Sequence, residues 1–132
     1  MRIKKIKVPF YKWEVICMIA HTLDDKEAIL KKMRSLHMRS EDIEEIEEQF
    51  NTQSYGGATI YYNSGLLLSV IIVLPHLCIK DLVSTLIHEG RHAADKIIDT
   101  AELEGPEAAA YLNTYITMEL IKDYIKEDEV RS

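Results

Sequence analysis

The sequence predicts an α+β domain: a small, mostly antiparallel sheet packed by helices on one face. Three observations predict it. Alternating β-branched and aromatic residues fill positions 3–20, two β-rich runs (54–62 and 66–74) flank the turn Asn63-Ser64-Gly65, and two long helical stretches close the chain. At 132 residues, 47% of them hydrophobic, the chain fits one domain able to bury a core without a metal or disulfide.

The elements follow in order. Ile6, Val8 and Phe10, then Trp13, Val15, Cys17 and Ile19, read as strands broken near Pro9. Trp13 is expected to anchor the core. Asp24 and Asp25 open a helix running to about His37, with Ala28, Ile29, Leu30 and Met33 as its apolar positions. Ser40 reads as the cap of a second, acidic helix ending near Phe50, and Glu44 to Glu48 as its solvated face. In the hairpin, Gly56 and Gly57 leave the first strand's backbone unobstructed. The second run, Leu66 to Leu74, is apolar on both faces, as a central strand under helices would be. After Pro75, Lys80 to Asp99 and Pro106 to Ile125 read as helices, with Pro106 suited to a first helical position. The organisation is one domain over 1–132: strand and helices in 1–53, hairpin and two helices in 54–126, and a tail at 127–132.

Charge narrows the function. With 16 basic against 22 acidic residues and net charge −6, the chain lacks the cationic excess that displaces counterions from nucleic acid. The longest apolar run, Gly65 to Leu74, is about half of a membrane span. The basic N-terminus lacks the apolar core of a leader. A soluble, cytoplasmic protein is expected, with Cys17 and Cys78 reduced and packed in apolar runs.

The chemistry lies in His88-Glu89-Gly90-Arg91-His92, an H-E-x-x-H pattern. Histidines at i and i+4 share one helical face and can bind a single zinc ion, and the intervening Glu can take a proton from a water activated there. Asp81, Thr85, His88, His92, Asp95 and Asp99 form a polar stripe without a cation, opposite Val83, Leu86, Ile87, Gly90, Ala94 and Ile97. An amphipathic surface helix would also show such a stripe. Asp95 and Asp99 are placed to orient an imidazole. Asp95 is a poor third ligand, because three side chains along one straight helix do not converge on a tetrahedral ion. Glu107, in the first turn of the next helix, is better placed, with Glu104 and Glu102 as substitutes. The helix dipole alone would also favour a Glu there.

Leu86 to Ala93, followed by Glu107-Ala108-Ala109-Ala110-Tyr111-Leu112, resembles the HExxH-plus-Glu zincins. It is most similar to small zincin-like proteins of bacteriophage and prophage genomes, over residues 54–121. The metzincin variant is excluded, because Asp95 and Ile98 stand where it needs Gly and His. The resemblance implies one zinc ion on His88, His92 and Glu107, with Glu89 as general base. It also implies a zincin-like minimal domain with an active-site helix, a following Glu-bearing helix, and an edge strand, Tyr55 to Tyr62, that lies above the metal and binds peptide by β-addition along Gly56, Gly57 and Ala58. Tyr111 and Tyr115 are candidates to steady an oxyanion, as are His76 and Arg91. The expected function is a zinc-dependent hydrolase, a peptidase acting on peptides or proteins. The alternative is a non-catalytic metal-binding or assembly protein of phage origin, since so small a domain has no second lobe to form a deep cleft.

Overall fold

The alternating N-terminal runs become β1 (Arg2–Val8) and β2 (Trp13–Ile19), paired antiparallel from Arg2 opposite Ile19 to Val8 opposite Trp13. This computed structural model describes residues 1–9, 11–52, 55–101 and 106–125. Phe10, Glu102, Glu104 and the expected tail at 127–132 lie outside them. A 3-10 turn (Leu23–Asp25) leads into α1 (Lys26–Ser35), followed by α2 (Ser40–Asn51), β3 (Ala58–Asn63), β4 (Leu68–Val73), α3 (Ile79–Thr100) and α4 (Pro106–Ile121). A second 3-10 turn, Lys122–Tyr124, follows α4.

The sheet has the order β1-β2-β4-β3. Both outer pairings are antiparallel, while β2 and β4 run parallel at the centre, so the sheet is mixed. A parallel pair cannot be closed by a tight turn, and here α1, α2 and β3 intervene.

Helices cover both faces, which corrects the one-face expectation. Val15, Cys17, Ile19, Ile71 and Val73 pack with α3 and α4, whereas Ile16, Met18, Val70 and Ile72 pack with Ile29, Leu30, Met33, Ile46 and Phe50 of α1 and α2. The cause is local: β2 and β4 are apolar at successive positions, and the pleat sends those side chains alternately to opposite faces. Trp13 is buried and its indole N–H donates to Ser69 Oγ at 3.0 Å, joining β2 to β4 and satisfying a buried hydroxyl.

Two local expectations shift. Ser40 is the first residue of α2, and the extended cap position belongs to Arg39. The capping box sits earlier: Thr22 Oγ1 accepts from the Asp24 N–H, and the Asp25 carboxylate accepts from the His21 and Thr22 N–H groups. Cys17 is buried, and burial pushes its thiol up to about 12 with Lys4 opposing. Cys78 is exposed at the cap of α3, because the apolar run ends at the strand and does not continue into that turn.

Lys4 ties the edge of the sheet to the end of α4. Its ammonium lies 2.8 Å from the Asp123 carboxylate and donates to the Glu119 carbonyl, a cation on the negative end of a helix. Among the described residues, no helix is long and apolar enough to cross a membrane.

Candidate metal centre

Helix α3 presents its apolar side, Leu82, Leu86, Gly90, Ala93, Ala94 and Ile97, to the core. That rotation leaves His88 and His92 exposed, one turn apart. Their Nε2 atoms are 3.0 Å apart, and the rings meet edge to face at 84°, with centroids 4.6 Å apart. Two nitrogens on one tetrahedral zinc ion would stand about 3.3 Å apart. The two Nε2 atoms are therefore within a few tenths of an ångström of the spacing that joint ligation needs. At this distance one ring donates its Nε2–H to the other, so joint ligation would also turn the rings from each other toward the ion.

Glu89 is the exception on this helix, a carboxyl only 6% exposed. Burial raises its pKa above the ordinary carboxylate range, and His88 and His92 offset this in part. A raised pKa makes the ionised form a stronger base. Glu89 and His88 border a shallow, open depression of about 400 Å³ with Ser84, Thr85, Gly57 and Ala58. Gly57 and Ala58, at the start of β3, thus share one surface with the motif helix, while Gly56 does not border it and donates its N–H to the Pro75 carbonyl at 2.7 Å.

Two contacts hold β3 against α3. Tyr62 donates its hydroxyl to the His92 carbonyl at 3.4 Å, and the Lys96 ammonium lies 5.2 Å from its ring centroid. At the other end of β3, His76 Nε2 meets the Gly57 N–H at 3.2 Å and Thr85 Oγ1 at 2.8 Å, while its Nδ1 lies 2.7 Å from the Leu74 carbonyl. Sequence reasoning offered His76 only as an oxyanion partner. Its place directly after Pro75, at the end of a strand, was the available hint of a positioning role.

The remaining candidates are not gathered here. Among the described residues, no group of three His, Cys, Asp or Glu side chains is close enough to hold an ion. Glu107 is exposed in the first turn of α4 and does not complete the pair. Asp95 and Asp99 are exposed, and neither bonds to an imidazole of the pair. Arg91 is exposed on α3. Tyr111 and Tyr115 stack at 6.2 Å and border a different depression, with Ala110, Thr114 and Met118. The Tyr115 hydroxyl donates to the Lys7 carbonyl on β1 at 3.5 Å. These tyrosines do not reach the surface shared by His88 and Glu89.

The residues thus fit a metal in part. Two imidazoles suit zinc in type and spacing, and the third donor is not supplied by the described residues. The chain matches no protein-family model, no curated protein and no solved structure.

Proposed function

We propose that the protein is a zinc-dependent hydrolase acting on extended peptides. The observation that carries this reading is the 3.0 Å approach of the His88 and His92 Nε2 atoms beside the buried Glu89, at the open edge of the sheet. The two imidazoles would hold the ion, with Glu104 or Glu102, outside the described residues, as candidate third donor, since Glu107 does not complete the pair. Zinc, when bound, supplies Lewis acidity toward a scissile carbonyl and acidifies water. Glu89 accepts the proton of the attacking water and returns it to the leaving amine.

The edge strand supplies the means of binding. Leu74 donates its N–H to the Gly57 carbonyl at 3.2 Å, which makes Gly57 and Leu74 a hydrogen-bonded pair. In the alternation of an antiparallel ladder, Thr59 and Tyr61 then turn their backbone groups toward β4, while Ala58, Ile60 and Tyr62 turn theirs outward. An extended chain added at this edge would pair with Ala58, next to Glu89 and His88.

Zinc titration followed by digestion of an unfolded protein tests the reading. Wild type is expected to bind one zinc ion and cleave. His92→Ala should weaken zinc binding by about 100-fold or more, since even changes outside the ligand set cost about 10–100-fold. Zinc binding without cleavage would favour the non-catalytic metal-binding or assembly protein. No zinc binding would end both.

A further inference from the structure

We propose that His76 is the positioning residue that fixes the glycine end of the edge strand for an incoming peptide, an inference that rests on the peptide-binding reading of that edge. A carbonyl only accepts, so the 2.7 Å contact to Leu74 requires His76 to carry its proton on Nδ1. Nε2 is then an acceptor, and it receives both the Gly57 N–H and the Thr85 hydroxyl.

The consequence lies in the ladder. Gly57 and Leu74 form one rung of their pair directly, from the Leu74 N–H to the Gly57 carbonyl. In a regular antiparallel pair the second rung would run from the Gly57 N–H to the Leu74 carbonyl. Here the imidazole stands in that rung: Gly57 N–H to Nε2, then Nδ1–H to the Leu74 carbonyl. Through Thr85 the same ring grips α3, one turn before His88. The ring therefore joins the glycine end of the edge strand to the motif helix, beside the Gly56 N–H that donates to the Pro75 carbonyl at 2.7 Å.

Such a clamp answers a specific weakness. Gly56 and Gly57 have φ of 77° and 84°, and an added Cβ at either would meet nothing within 4 Å. They turn the backbone without packing, and glycine restrains its own conformation least of all residues. Without the imidazole, Gly57 loses its N–H partner directly before Ala58, the first outward-facing residue of the edge.

Two variants separate the ends of the ring. In His76→Asn the side-chain amide can still donate to Leu74, but nothing reaches Gly57. In His76→Gln the longer side chain returns an acceptor to the Nε2 position. Amide hydrogen exchange at Gly57 should rise about tenfold or more in His76→Asn and recover in His76→Gln, with exchange in the middle of α3 unchanged. The Kd for a short blocked peptide rich in Val and Lys, titrated onto the zinc-treated protein, should weaken about tenfold in His76→Asn and recover in His76→Gln. Wild-type exchange or wild-type affinity in His76→Asn would overturn the proposal, as would a His76→Gln no better than His76→Asn. A wild type that binds the peptide in this pattern but cleaves none of it would support the clamp and end the hydrolase reading.

Discussion

Glu89→Gln is expected to lower peptide hydrolysis by about 10³-fold while leaving zinc binding within a factor of about two, because general-base catalysis contributes about 10²–10⁴-fold. The amide matches the carboxyl in shape and cannot accept the proton. The same substitution should stabilise the metal-free fold near neutral pH by about 1 kcal/mol, since it removes a buried ionised group. The sign follows from the direction of the shift. Burial raises the Glu89 pKa in the folded state, so the stability associated with its protonated form is complete below the ordinary carboxylate pKa and is lost as pH rises through the raised value. The gain in Glu89→Gln should therefore shrink as pH falls through that window. Parallel denaturation curves of the two metal-free proteins read this directly. A variant that hydrolyses as fast as wild type would remove Glu89 from the mechanism.

Gly90→Val should destabilise the protein by about 3 kcal/mol, the upper end of the usual overpacking cost. Gly90 sits where α3 crosses α4, and an added Cβ would lie 2.8 Å from Thr117 Oγ1 and 3.2 Å from Leu120 Cδ1. Val adds two further methyl groups to that contact and stiffens the helix at χ1. Gly90→Ala is the control, because the helical preference for Ala, about 1 kcal/mol, opposes a smaller clash that a turn of Thr117 relieves. Urea denaturation of the three proteins gives the comparison. A Val variant as stable as wild type would show that the helices separate there without cost.

What could be read from the sequence was mostly what is local. His88 and His92 meet because four residues make about one helical turn, whatever the rest of the fold does. Strands and helices followed from alternation and period, and their ends fell within a few residues. Partnerships set at long range did not follow. The parallel pairing of β2 with β4 depends on how α1 and α2 return the chain, and no residue of either strand encodes that direction. The unbroken apolar run Val15 to Ala20, like the two-faced run Leu66 to Leu74, carries the pattern of a strand buried on both faces, against the single covered face expected for the sheet. Tyr111 and Tyr115 were misplaced for a related reason. From Ala108 to Met118, α4 carries no charge, so the sequence gives little basis for predicting how that helix is rotated. Glu107 depended on the path between α3 and α4, which spacing alone does not determine.

The central parallel pairing also bears on how the newborn chain survives its own synthesis. Val15 waits for Ser69, and Ile19 for Val73, so the N-terminal hairpin leaves the ribosome well before the strand that completes it. During that interval β2 has an unpaired border and greasy surfaces above and below, the state in which nascent proteins stick to one another. Lys5 and Lys7 on β1 project into water and discourage stacking on the far border only. Production at low temperature, or with a holding chaperone, should therefore raise the soluble yield.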